Sequence, residues 1–173
     1  MPSFQAPAST GQTLDSERFR GKLPLVIFFV PDVRSRRSAR PIAEFNRNLG
    51  RFGGLRTQVL GVVPETAKRL RQQAERRGYN LPLLADPDEA IHNAFGITDV
   101  ATPHWATFII DRSGTIAQTF RPTVRPGRVN QVLASIRGLK RDERAPMSPR
   151  TRRTSAVASR RGERSSATGR PPT

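Results

Sequence analysis

Arg34, Arg36, Arg37 and Arg40 fall within seven consecutive residues, and no other stretch so clearly offers side chains of one type for a single task. Guanidinium groups hold phosphate, carboxylate or a nucleic-acid backbone through charge-assisted hydrogen bonds, and a helix start adds to that preference. Four like charges also repel one another, so a solvated turn is the preferred reading over a ligand pocket. Of the two histidines, His92 lies in an amphipathic stretch and is expected to be a partly exposed structural residue, and His104 lies just before a strand. Asp86, Asp88 and Asp111 end strands or start helices, where capping and turn formation account for them without a metal. The chain has no cysteine, which excludes disulfides, cysteine-ligated zinc, iron–sulfur clusters and every thiolate mechanism.

The elements that must position these side chains alternate between strand and helix. LPLVIFFV at 23 to 30 is a continuous apolar run of the kind found in a strand covered on both faces. After the turn PDVRSRRSARP, the residues Ile42, Phe45, Leu49 and Phe52 recur at helical spacing until Gly53 and Gly54 stop the run. TQVLGVV at 57 to 63 is a second buried strand, and PETAKRLRQQAERRG reads as a helix with Pro at its start and Gly at its cap. LPLLAD is a short strand, PDEAIHNAFG a helix of two to three turns, and ATFIID at 106 to 111 a long strand. TIAQTFRP at 115 to 122 must return antiparallel, because the connection before it is too short for a parallel crossover. The last helix is expected over 126 to 139. Together these imply α/β architecture with a mixed central sheet and helices on both faces.

One domain over residues 1–139 and a tail over 140–173 account for the length. The tail is rich in Arg, Ser, Pro and Gly and reads as disordered, having little to bury against its ordering entropy. The chain carries 30 basic and 14 acidic residues, a net +16. Ten basic and three acidic residues fall in the tail, so the charge is shared between both parts. That balance suits anionic partners. Base stacking is not expected, since no aromatic residue interleaves the basic ones of the tail. The longest apolar run is too short to span a bilayer and the first residues show no leader pattern, so a cytoplasmic protein without a membrane role is expected.

Several segments in order resemble the peroxiredoxins of the alkyl hydroperoxide reductase and thiol-specific antioxidant family, nearest the bacterioferritin-comigratory or Q-type branch. They are the F-x-x-P near the start, FRGKLPLVIFFVP, VLGVVPE, LPLLADPDEAIHNAFGI and ATFIIDRSGTI. The resemblance implies a thioredoxin-like, three-layer α/β/α fold. It also implies a Pro-x-x-x-Thr-x-x-Cys motif whose cysteine attacks peroxide, supported by helix-start N–H groups and an arginine. On this chain the motif falls on Pro31, Ser35 and Ser38, and the family's second arginine falls on Trp105. Ser38 is a poor substitute for a thiolate, because a hydroxyl is weakly acidic and lacks sulfur's redox chemistry. A hydrolytic pair of Ser38 with His104 lacks a third member, a G-x-S-x-G elbow and an oxyanion-hole signature, so it is disfavoured.

The expectation is therefore a non-catalytic member that keeps the scaffold for binding or regulation, with no cofactor or metal, and with a homodimer or another protein as partner. The alternatives are a nucleic-acid or polyanion binder acting through the Arg-rich loop and tail, and a residual non-thiol oxidoreductase or hydrolase.

Overall fold

The computed structural model describes residues 1–98, 105–121 and 127–144. His104, the segment 122–126 and the tail beyond Arg144 lie outside the described residues, so the expectations placed on them stay as stated.

The apolar run at 23 to 30 forms β3 (Leu25–Phe29), after a short antiparallel hairpin of β1 (Gln5–Pro7) and β2 (Thr13–Asp15) that the sequence pattern did not announce. All five residues of β3 are buried, and the strand is central. It pairs in parallel with β4 (Gln58–Val63) and antiparallel with β6 (Ala106–Ile110). β5 (Leu83–Ala85) extends the parallel side, and β7 (Ile116–Phe120) closes the antiparallel side, giving the order β5-β4-β3-β6-β7. The mixed sheet and the final hairpin are as expected.

Successive residues of β3 feed two cores, as a strand covered on both faces must. Val26 and Phe28 join the cluster containing Ile42, Phe45, Phe52, Leu70 and Val132. Leu25, Ile27 and Phe29 join the cluster with Ile91, Phe95 and the first strand's Ala6. Phe28 stacks on Phe45 with ring centroids 4.4 Å apart, and Phe45 on Phe52 at 5.9 Å. Each ring buried in this way contributes about 1.5–3 kcal/mol of transfer free energy.

The helices depart from expectation in their bounds. In place of one helix over 42 to 52, α1 (Arg36–Arg47) and α2 (Leu49–Gly54) meet at Asn48. The Arg-rich segment is therefore not a loop throughout: Arg36, Arg37 and Arg40 lie on α1, and only Arg34 precedes it. The start was hidden because the first turn has no apolar residue larger than Ala39, and because Pro41 stands inside the helix. α3 (Ala67–Arg77) begins after Thr66, later than Pro64 suggested, and ends at Gly78 with φ +66°, the left-handed cap that glycine adopts without strain. α4 (Ala90–Ala94) is shorter than the expected two to three turns, since the residues before it form a turn on Asp86. α5 (Arg128–Arg144) runs past residue 139. Its continuation includes Lys140, whose ammonium donates to the Leu55 carbonyl.

Candidate functional site

At the carboxyl end of β3 the chain leaves the sheet through Val30 and Pro31 and enters α1 four residues after Pro31, at the Ser35 cap. Asp32 organises this turn. Its Oδ1 accepts from the Arg34 N–H at 2.7 Å and the Ser35 N–H at 2.5 Å. Its Oδ2 accepts from the Ser35 hydroxyl at 2.8 Å and the Ser38 hydroxyl at 3.0 Å. Ser35 is the N-cap of α1, its Oγ accepting from the Ser38 N–H at 3.2 Å. The two serines and the carboxylate thus form a closed network in which both hydroxyl protons have an anionic acceptor.

Electrostatically, this network opposes nucleophilic chemistry at Ser38. Burial works against the charge of Asp32, but hydrogen bonds from Ser35, Arg34 and Ser38 outweigh it and hold the carboxyl below the ordinary carboxylate range. A carboxylate so stabilised is a weak base, and it repels any second anion formed beside it. Ser38 itself is fully buried. Sequence reasoning missed Asp32; the signal available was an Asp three residues ahead of a Ser cap, a spacing that favours a side-chain-closed turn.

The remaining aligned positions sit nearby with changed chemistry. Trp105 is buried in the same core as Val33 and Ile42. Where the resemblance implies an arginine reaching into the site, an indole fills space, and the guanidinium of Arg37 lies over it at 5.7 Å from the ring centroid, a cation–π contact. Pro31 is half-buried, whereas Arg34, Arg36, Arg37 and Arg40 are exposed. The Arg34 carbonyl accepts from Arg77 Nη2 at 3.1 Å, which brings the end of α3 to the start of α1. At this helix start the Asp32 carboxylate already accepts from the Arg34 and Ser35 N–H groups.

His92 is a correction to the sequence reading: it is fully buried and not partly exposed. Its Nδ1 lies 2.6 Å from Asp86 Oδ2, and its ring meets Phe29 edge-on at 4.9 Å. Asp86 also accepts from the Ile91 and His92 N–H groups at 3.0 and 2.9 Å, which is the capping role expected of it. Burial opposes its charge, but the His92 side chain and the two N–H groups prevail and hold its pKa below the ordinary value. With Asp86 ionised, Nδ1 carries the hydrogen. Asp111 closes the β6–β7 turn by accepting from Thr115 N–H at 2.9 Å and the Ser113 hydroxyl at 2.6 Å. Among the described residues no group of three or more His, Asp or Glu gathers to hold a metal ion, and no helix is long and apolar enough to cross a membrane.

The AhpC/TSA family profile matches residues 1–119. Peroxiredoxin Bcp of Xanthomonas campestris is 26% identical over 144 residues, covering 78% of this chain and 90% of that protein. Among solved structures, peroxidoxin BcpB from Mycobacterium tuberculosis superposes with a TM-score of 0.71 at 20% identity, over 80% of this chain and 94% of the other. Peroxiredoxin Q of Xanthomonas campestris does so at 0.70 and 24% identity, over 78% and 90%. The fold is thus the thioredoxin-like arrangement of the peroxiredoxins.

Proposed function

The chain belongs to the AhpC/TSA family, and on that premise we propose that it is a peroxiredoxin-like pseudoenzyme, a cytoplasmic scaffold that binds or regulates without reducing peroxide. The observation that carries this reading is the Ser35–Asp32–Ser38 network. Ser38, onto which the resemblance puts the attacking sulfur, is a buried hydroxyl hydrogen-bonded to a carboxylate at 3.0 Å, and the chain has no cysteine to substitute or resolve. Thiol peroxidase chemistry needs a sulfur that is oxidised to the sulfenic acid and then reduced again, and oxygen in Ser38 cannot undergo that cycle. The scaffold would act through a homodimer surface or another protein partner.

The test is consumption of hydrogen peroxide and an alkyl hydroperoxide by the full chain with a thiol reductant. Loss of peroxide at the rate of buffer and reductant alone is expected. Turnover that scales with protein concentration and is abolished by Ser38→Ala would overturn the reading in favour of a retained, non-thiol enzyme.

A second reading, binding of nucleic acid or another polyanion, is favoured by the juxtaposition of α1 and α3. Arg34, Arg36, Arg37, Arg40, Arg76 and Arg77 are all exposed, none forms an ion pair with a described residue, and the Arg77–Arg34 hydrogen bond joins them into one surface. Such a surface gives salt-sensitive, sequence-independent affinity.

A further inference from the structure

At the opposite end of the sheet from Ser38, where the parallel strands begin, the surface opens into a cleft of about 540 Å³. Gln58 starts β4, Pro82 precedes β5, and Lys22 and Leu23 lead into β3; the β1–β2 hairpin supplies the facing wall. The volume lies within the range of small-molecule sites.

The lining divides into two kinds of side chain. Leu14, Phe19 and Leu23 provide an apolar wall, and Arg18 and Lys22 provide positive charge with no acidic residue in the lining. Neither of these cations makes a side-chain hydrogen bond or ion pair with a described residue, in contrast to neighbouring Arg20, which pairs with Glu17 at 3.0 Å and reaches the Met1 carbonyl. The side chains of Thr10 and Gln12 likewise have no hydrogen bond to a described residue. Polar groups with open hydrogen-bonding capacity therefore border an apolar wall. The wall is also held in place: the Ser9 N–H donates to the Leu83 carbonyl at 2.8 Å, the Leu83 N–H donates to Ser9 Oγ at 3.1 Å, and the Ala8 N–H donates to the Gln12 carbonyl at 2.8 Å. A site fixed before binding loses less ordering entropy on association.

We propose that this cleft binds a small amphipathic carboxylate, its anionic group between Arg18 and Lys22 and its aliphatic or aromatic body against Leu14, Phe19 and Leu23. Guanidinium suits a carboxylate through paired N–H donors, the ammonium adds a mobile point charge, and the apolar wall removes the body of the ligand from water. The site is separate from the position of the lost cysteine, and its occupancy does not depend on the pseudoenzyme reading.

The experiment is a titration of the isotope-labelled full chain with decanoate below its micelle concentration, followed by amide chemical shifts. Decylammonium, with the same body and opposite charge, and inorganic phosphate, a charge without a body, are the controls. Saturable shifts at Thr10, Gln12, Lys22 and Gln58, absent with decylammonium and much weaker with phosphate, are expected. The Arg18→Glu/Lys22→Glu variant, altered at two exposed positions, is expected to lose at least about tenfold in affinity; Arg18→Gln/Lys22→Gln serves if charge reversal disturbs the fold. No saturable shifts, shifts centred elsewhere, equal binding of decylammonium, or affinity unchanged in the folded variant would each overturn the proposal.

Discussion

A hydroxyl that already donates to a neighbouring carboxylate is a poor place to create an anion, and Ser38, onto which the resemblance puts the family's cysteine, is such a hydroxyl. A sulfur placed there has Asp32 Oδ2 beside it, where Ser38 Oγ now lies at 3.0 Å, in a fully buried position. Both burial and the adjacent charge disfavour a thiolate. Ser38→Cys is therefore expected to titrate above the free-cysteine value of about 8.5, read by ultraviolet thiolate absorbance, and to come down when Asp32→Asn is added. A single-variant thiol ionised at neutral pH would show that the site still favours an anion. Pro31, Ser35, Ser38 and Trp105 were singled out by the resemblance to the family's motif. Asp32 was not, because its role exists only once the turn folds two hydroxyls and two N–H groups onto one carboxylate.

The same logic governs the buried Asp86. Its pKa is lowered in the fold, as are those of Asp32 and Asp111. A carboxyl depressed on folding contributes stability that is fully present above its unfolded value, near 3.8, and is lost as the pH falls through the lower folded value. Unfolding by urea should therefore show these contributions intact at neutral pH and declining on the acid side of that value, with a shallower decline in Asp86→Asn. That variant exchanges a charge-assisted contact to His92 for a neutral one and is expected to lose about 1–3 kcal/mol at neutral pH, seen as a lower urea midpoint with an unchanged slope. An unaltered midpoint would mean that the pair contributes nothing measurable.

At the scale of elements, the strands were easier to read than the helices, and the reason is what each buries. β3, β4 and β6 are covered on both faces, so their sequences are continuous apolar runs that stand out from a basic background. α1 buries Ser38, Pro41, Ile42 and Phe45, so its amino-terminal turn buries a polar residue and its outer face is arginine. Apolar periodicity finds such a helix only from its second half. The β1–β2 hairpin was missed because each strand has only three residues, with one buried side chain in β1 and none in β2.

Tight packing between the same elements gives a prediction that needs no motif. Gly61 sits in β4, and a Cβ there would lie 2.7 Å from Leu83 Cδ2 and 2.8 Å from Phe28 Cζ. Phe28 is itself stacked on Phe45, so it has little room to yield. Gly61→Ala is expected to destabilise by about 1–3 kcal/mol through overpacking, measured as a lower denaturation midpoint. Gly50→Ala, on the open face of α2 with nothing within 4 Å of the added carbon, should leave stability unchanged or slightly raised.

For the whole molecule, the question is where a net charge of +16 acts. On α1, Arg36, Arg40 and Arg47 fall within about 40° of one another around the axis at 100° per residue, and the Arg77–Arg34 hydrogen bond continues that stripe onto α3. Composition disclosed the charge but not this arrangement, which depends on Arg36 to Arg47 being helical. Among the described residues α5 runs to Arg144, so a chain cut after that residue separates the described surface from residues 145–173. Fluorescence anisotropy of labelled DNA and RNA across a salt series should then distinguish the two. If the folded face binds, the shortened chain keeps salt-dependent affinity, and Arg36→Glu/Arg40→Glu/Arg77→Glu weakens it and reduces its slope against salt, each lost phosphate contact removing about 0.9 from the duplex slope. If the tail is the arm, affinity vanishes on truncation and survives the triple substitution. Absence of binding by the full chain near physiological salt would reject the polyanion reading, and the arginines would then serve only to keep the surface hydrated around a scaffold whose contacts lie elsewhere.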